Sequence, residues 1–390
     1  MTDLRAYVTL PDDLGGPAGG AVADRPSRIL LTGATGYLGA YLLSALLERS
    51  AATIVCLVRA TDAAVGLARI HANLARYELV ADLSRVEVLP GAIEQTDLGL
   101  DASTWRDLAR DVDAIVHGAA NVNFMPSLGQ LMPVNVGGAV NLLRVAGHTR
   151  LKPLHLASSY SVFNEASYNG VTRVTEERLV GQGAGFRRGY PMSKWIAERV
   201  TDLARERGYS VTTHRLGLLW GDARTGRSKA DDALSLSVRA CLALGRAYDS
   251  DFLMHVTPVD FAAAAVAEVA LAPARGNGYY HEITETPITW HDFISAMQEQ
   301  GHAIDFVSPA IWHDALRAAL PVHRELAPLV LLGAQDPTRS NPNVSRMRFD
   351  ASRLRAALAG TGVACPPLDR GLIGTYLNAI ARDAPAWKVG

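Results

Sequence analysis

Tyr190 and Lys194 stand four residues apart at the head of the run YPMSKWIAERVTDLARER, whose pattern is strongly helical. Residues at i and i+4 share one helix face, so a phenol and an ammonium meet there. A nearby positive charge favours the phenolate and lowers the tyrosine pKa. Tyr190 then suits general-acid work on an oxygen that gains charge as hydride reaches its carbon, and Lys194 would also hold a nicotinamide ribose. Upstream, the strand-like run KPLHLASSYSVF ends in hydroxyls. Ser159 is expected to face the substrate carbonyl. Ser158 and Ser161 are the alternatives, since alternation along a strand sends neighbours to opposite faces.

A hydride donor has its own signature. Leu31 to Gly39 reads LTGATGYLG, with Gly33, Gly36 and Gly39 at GxxGxxG spacing between a strand pattern and a helix pattern. Gly33 allows a tight turn, Gly36 lets the backbone approach a pyrophosphate, and Gly39 lets the helix pack close. Thr35, Tyr37 and Leu38 complete the same phosphate-facing turn, and the helix N-terminus favours the negative charge. The next strand, TIVCLVRA, ends at Arg59, twenty residues past Gly39, where an NAD enzyme would carry a carboxylate. An arginine there selects the 2′-phosphate of NADP; Arg69 is a second cation for the same phosphate. In the run from His117 to Ala120, Gly118 and Ala119 are small enough for a nucleotide to approach. Asn135, in PVNVGGAVNLLRVA, would bond the backbone of that strand and set its register, or serve as a cap or a hydrated surface group. Ile93, in PGAI, completes the expected cofactor set.

The elements that must position these groups alternate short apolar runs with helical ones: RILLTG, TIVCLVRA, VEVLPGAI, DAIVHGAA, KPLHLASSYSVF and SVTTHRLGLLWG. That grammar predicts an α/β fold with a doubly wound parallel sheet covered on both faces. Residues 1–26 are expected to be a flexible leader, 27–221 with 253–273 the dinucleotide domain, and 222–252 with 274–390 a smaller, mostly helical substrate domain. A net charge of −1 with 20% charged residues gives no basic stripe for nucleic acid. The three cysteines, Cys56, Cys241 and Cys365, are too far apart for a CxxC metal site or disulfide framework and fit a reducing cytoplasm. Neither a signal peptide nor an apolar run of membrane-spanning length is present. The eleven histidines show no HExxH, so no metal is expected, and no GxSxG elbow occurs. The segment from Gly221 to Ser228 mimics a P-loop but lacks its lysine. His255 reads as structural, and Trp195 and Trp220 as packing.

Taken together, LLTGATGYLGAYLL, CLVRA with Arg69, HGAANVNF, NVGGAVNLLRVA, YPMSKWIAE, GDARTG and TPVDF resemble the thioester reductases among the extended short-chain dehydrogenase/reductases. These are the terminal reductase domains of nonribosomal peptide and polyketide synthetases and of carboxylic acid reductases. The resemblance runs from about Arg28 to about Asp260; the leader motif LPDDL also looks like a linker from a carrier protein. It implies Ser159, Tyr190 and Lys194 as the catalytic set and Arg59 and Arg69 as readers of NADPH. It implies reduction of an acyl thioester on the phosphopantetheine arm of an acyl or peptidyl carrier protein to an aldehyde, with a second hydride leading to the alcohol. Arg224, Arg227 and Lys229 would then meet the acidic carrier, or simply be solvated. Two positions depart from the pattern: Ala92 stands in place of an aspartate near the adenine, and Leu216 in place of a proline. The alternatives are a sugar-nucleotide epimerase or dehydratase, or a ketoreductase, sharing Tyr190 and Lys194, and a non-catalytic NADP sensor, which would be expected to lose one of them.

Overall fold

The computed structural model describes residues 3–20, 22–123, 125–272, 275–331 and 343–383. Seven strands form one sheet: β1 (Arg28–Thr32), β2 (Thr53–Val58), β3 (Val86–Pro90), β4 (Ala114–His117), β5 (Leu154–Ser159), β6 (Val211–Leu216) and β7 (Gly278–Glu282). Their order across the sheet is β3-β2-β1-β4-β5-β6-β7, and every pairing is parallel. Parallel strands need crossovers, and the helical runs read from the sequence supply them: α1 (Tyr37–Arg49), α2 (Ala63–Arg76), α3 (Ala102–Asp111) and α5 (Gly189–Glu206). Between β4 and β5, α4 comprises Leu128–Met132, a π-helical turn at Pro133–Gly137 and Gly138–Gly147.

The strand order reverses between β1 and β4, which opens a crevice at the carboxyl ends of those strands. One face of the sheet packs on α1 and the later helix α7 (Val259–Ala270), with Leu42, Leu46, Ala262 and Val266 sealed between. The other face packs on α4 and α5 through Leu142, Ile196 and Val200. Trp195 belongs to this core, as expected.

A second core gathers α6 (Ala233–Leu244), α8 (Trp290–Glu299), α9 (Pro309–Ala319) and α10 (Arg370–Asp383) around Trp220, Trp290, Trp312 and Tyr376. The division expected from the sequence is corrected at two places, the first of them Gly278–Glu282, which was assigned to the substrate domain and is the seventh strand of the main sheet. Its five residues are all buried, and its edge is secured by β6 alone. Residues after 343 also return to the dinucleotide domain, where Arg348–Phe349 pairs with Arg173–Val174. The Glu176 carboxylate receives the N–H groups of Arg353 and Leu354 at the start of the next short helix. No helix among the described residues is long and apolar enough to cross a membrane. Parts of the expected leader, dinucleotide domain and C-terminal domain (1–2, 21, 273–274, 332–342 and 384–390) and Phe124 of HGAANVNF lie outside the described residues.

The leader is not loose. Leu4, Leu10 and Leu14 are buried in the core behind α5. The Arg207 guanidinium donates to the carbonyls of Pro11 and Leu14, and Arg144 pairs with Asp13. Three leucines spaced over eleven residues gave no helix or strand period, yet each finds an apolar seat. Leu4 presses on Gly183, where an added Cβ would lie 2.9 Å from the leucine and 3.0 Å from the Trp195 ring. Truncating Leu4 to alanine should therefore lower stability by on the order of 2 kcal/mol, read from the urea midpoint. An unchanged midpoint would mean that the leader contributes nothing to the fold.

Candidate active site

β1 ends at Thr32, where its strand meets β4 across the crevice. The Thr32 hydroxyl accepts the Ala119 N–H at 3.2 Å and lies 2.8 Å from His117 Nδ1, while Gly118 N–H donates to the Thr32 carbonyl at 3.1 Å. Gly33 turns with φ +88°, and a Cβ there would sit 2.7 Å from Ala119 N. A Cβ on Gly39 would lie 1.8 Å from the Gly33 carbonyl oxygen, so the first turn of α1 closes down directly on the glycine turn. Gly36 caps α1 with no side-chain hydrogen bond. The first-turn N–H groups of the helix are thus left for an anion. These features fit a dinucleotide pyrophosphate.

The side chains of this turn behave less uniformly. Tyr37 sends its hydroxyl to the Trp220 carbonyl at 2.6 Å, and Leu38 packs against the core; only their backbones remain for a phosphate. Thr35 is half-buried in the turn. Sequence reasoning missed Asn73 on α2, whose amide donates to the Ala34 and Gly36 carbonyls at 3.0 and 2.9 Å. An asparagine in an amphipathic helix carries no periodic signal that could have disclosed it. Ile93 turns its side chain into the core against Gly138, and Asn141 holds its carbonyl at 2.9 Å. At the end of β2, Arg59 and Arg69 are both exposed, and the Arg69 guanidinium donates to the Arg59 carbonyl. The Arg69 side chain therefore reaches back from α2 to the backbone of Arg59.

Ser159 ends β5, and Tyr190 and Lys194 occupy the first turns of α5, all three buried. The Lys194 ammonium donates to the Ala157 carbonyl at 2.7 Å. Burial pulls its pKa down to about 8, with Glu198 opposing. The expected lowering of the Tyr190 pKa is not found. Burial pushes the phenol up to about 12, and only the Ser159 hydroxyl draws it back. The ammonium lies 6.0 Å from the tyrosine ring centroid, aimed at a backbone carbonyl rather than at the phenol. Tyr190 is thus a protonated donor at neutral pH. Burial and the Lys194 charge hold His117 down at about 3, a neutral imidazole.

The alternatives to Ser159 separate by partner. Ser158 donates to the buried Glu198 carboxylate at 2.5 Å, on the α5 face of the sheet. The Ser161 N–H donates to the Ser159 hydroxyl at 3.2 Å, and its own hydroxyl is sealed off without a partner among the described residues. Asn135 lies in the π-helical turn. Its amide joins both backbone groups of Asn121, at 2.8 and 3.0 Å, and reaches the Ser193 hydroxyl at 2.9 Å. Ser193 in turn donates to the Tyr190 carbonyl at 2.8 Å. Asn135 thus ties the backbone one residue beyond the small-residue run to α5. Ser193 was not foreseen.

Beneath these groups Glu198 and Arg215 form a fully buried ion pair, with Arg215 Nη2 2.9 Å from the carboxylate. The P-loop mimic is folded onto itself: Asp222 accepts the N–H groups of Arg224 and Thr225. Of its cations, Arg227 pairs with Glu78 and Lys229 with Asp231, while Arg224 is exposed. His255 is buried and donates Nε2–H to the Val344 carbonyl at 3.1 Å, a structural bond as expected. Trp220 is packed against Tyr376 and Phe293.

A crevice for a dinucleotide with a buried tyrosine and lysine beside it defines an oxidoreductase of the extended short-chain dehydrogenase/reductase class, using a nicotinamide cofactor. The chain belongs to the NAD-binding family described as Male sterility protein, whose model matches residues 31–266. It is similar to the terminal R domain of the myxalamid PKS-NRPS pathway, with 31% identity, a TM-score of 0.90 and 97% of each chain covered. It also resembles the reductase domain of a Mycobacterium tuberculosis nonribosomal peptide synthetase, at 27% identity and a TM-score of 0.75, over 97% of this chain and 95% of that one. An isonitrile lipopeptide synthase of Streptomyces coeruleorubidus is 33% identical over 99% of this chain and 27% of its own length. The chain therefore spans about a quarter of that relative.

Removing one partner of a buried ion pair leaves an uncompensated charge. Glu198→Ala should cost about 3–5 kcal/mol and lower Tm, whereas an exposed pair such as Arg110 with Asp107 should change it little when broken. Equal shifts for the two would contradict this assignment.

Proposed function

We propose that this chain reduces a carrier-bound acyl thioester to an aldehyde at the expense of NADPH. The observation that carries the reading is the meeting of Ser159, Tyr190 and Lys194 at the carboxyl edge of the sheet, beside a glycine turn that fits a dinucleotide. Likeness to a terminal R domain over nearly the whole chain supports the thioester as substrate. The exposed arginines Arg59 and Arg69 support NADPH over NADH, because a 2′-phosphate needs positive charge where NAD enzymes place a carboxylate. The partner is an acyl or peptidyl carrier protein presenting its phosphopantetheine arm. With Arg227 and Lys229 already in ion pairs, Arg224 is the member of that loop with charge to offer.

Bound in the crevice, the nicotinamide supplies the hydride. Tyr190 and Ser159 hydrogen-bond the thioester oxygen, and Tyr190 delivers its proton as that oxygen gains charge. Lys194, fixed by the Ala157 carbonyl, holds the ribose and keeps a positive charge near the tyrosine that has lost its proton. The hemithioacetal then collapses: the C–S bond breaks, the hydroxyl proton is given up, the sulfur leaves as thiol and the aldehyde is released.

NADPH oxidation at 340 nm with acyl-pantetheine thioesters should release free thiol and aldehyde, and Tyr190→Phe should lower kcat by at least a hundredfold, within the range of general-acid effects. Turnover of a nucleotide sugar or a simple ketone with no thioester activity would move the enzyme to the epimerase or ketoreductase branch. Arg59→Ala should raise KM for NADPH while leaving that for NADH unchanged; equal effects on both would remove the 2′-phosphate reading.

The pH profile tests Lys194 separately. The ammonium is the working form, present below a pKa of about 8 and lost as pH rises through it. The kcat/KM for NADPH should accordingly fall above about pH 8. A profile flat to pH 10 would show that Lys194 keeps its proton despite burial.

A further inference from the structure

Tyr160 directly follows Ser159 and opens the 3-10 turn Tyr160–Asn164. Its ring packs against side chains from the C-terminal half of the chain. It meets His255 and Phe349 edge-on, with centroids 6.0 Å away in each case. Those two rings are themselves locked at 4.8 Å and 90°. The side chain is therefore held against His255 and Phe349, next in sequence to Ser159.

A half-buried phenol ordinarily finds a hydrogen-bond partner. Tyr160 has none among the described residues, and its hydroxyl is not sealed off as that of Ser161 is. Burial keeps the phenol neutral, hence a donor, and the Tyr190 phenol is close enough to oppose its ionisation further. A rigidly held, unused donor next to Ser159 and near Tyr190 has one evident acceptor, the oxygen that these two residues address.

We propose that Tyr160 is a substrate-contacting residue whose hydroxyl donates a third hydrogen bond to the reacting carbonyl oxygen, beside Ser159 and Tyr190. A carbonyl oxygen has two lone pairs, and the alkoxide that forms as hydride adds to its carbon has a third that can accept a further bond. The Tyr160 bond is therefore strongest as charge develops, and acts on kcat rather than on ground-state binding. The identity of the substrate rests on the thioester reading above; the placement of Tyr160 does not.

Tyr160→Phe removes the oxygen and keeps the ring against His255 and Phe349. With the full chain, NADPH and an acyl-pantetheine thioester, kcat should fall by about a hundredfold, with thioester KM, NADPH KM and unfolding midpoint unchanged. An unchanged kcat, or a rise in thioester KM alone, overturns the proposal. Tyr160→Met, measured in parallel, should lose at least as much; wild-type kcat in that variant overturns it too, whether or not the phenylalanine variant folds. The same assay on a free aldehyde separates the two readings. Wild type active on aldehydes but inert on every thioester ends the thioester assignment, while the loss in Tyr160→Phe on the aldehyde still reports on Tyr160.

Discussion

Glu198 and Arg215 share a space from which water is excluded, and neither charge is tolerable there without the other. The arrangement around them completes the pairing. Ser158 donates to one carboxylate oxygen, and the guanidinium lies between the faces of Phe163 and Tyr279, 4.9 and 4.7 Å from their ring centroids. The carboxylate is on α5 and its partners are on β5 and β6, so the pair sets the rotation and height of the helix on the sheet. Tyr190, Lys194 and Glu198 follow one another at i, i+4 and i+8 along one face of that helix. Once Glu198 is docked, Lys194 falls under the Ala157 carbonyl and Tyr190 arrives at the sheet edge beside Ser159.

Two further ties make this placement rigid. From the cofactor side, Asn135 and Ser193 connect the loop after β4 to the Tyr190 carbonyl. The π-helical turn supplies the extra residue that rotates Asn135 toward that loop, a common use of such bulges at functional sites. From behind, Leu4 and Trp195 press the leader onto α5. For the proposed reaction such rigidity matters, because donors already oriented need no reorganisation when charge develops.

Burial governs the electrostatics of the site more than proximity does. Both members of the Tyr190–Lys194 pair are shifted toward neutrality, the phenol up to about 12 and the ammonium down to about 8. The simple expectation from i, i+4 spacing, a phenol acidified by its lysine, fails because the ammonium spends its strongest bond on a backbone carbonyl. What the lysine offers the chemistry is a fixed charge that a deprotonated tyrosine would meet on its own helix.

Local patterns carried most of the architecture: strand runs, the glycine turn, the hydroxyl-ended strand, and the tyrosine and lysine one helical turn apart. These features are periodic or depend on a single backbone requirement, such as the +88° φ at Gly33, and so can be read along the chain. The strand at Gly278–Glu282 escaped because it joins the sheet more than sixty residues after β6, the helix α7 that leads into it being separated from β6 by a long excursion into the second core. Asn73, Ser193 and the Glu198–Arg215 pair were equally silent, since a polar side chain gives no sign in sequence of the distant carbonyl or charge it will meet. The sequence by itself determined the class of fold and which residue types carry the chemistry. Only the tertiary structure decided which serine faces the site, where the leader lies and which way the pKa of Tyr190 moves, because each depends on contacts between residues far apart in the chain and on how much water those contacts exclude.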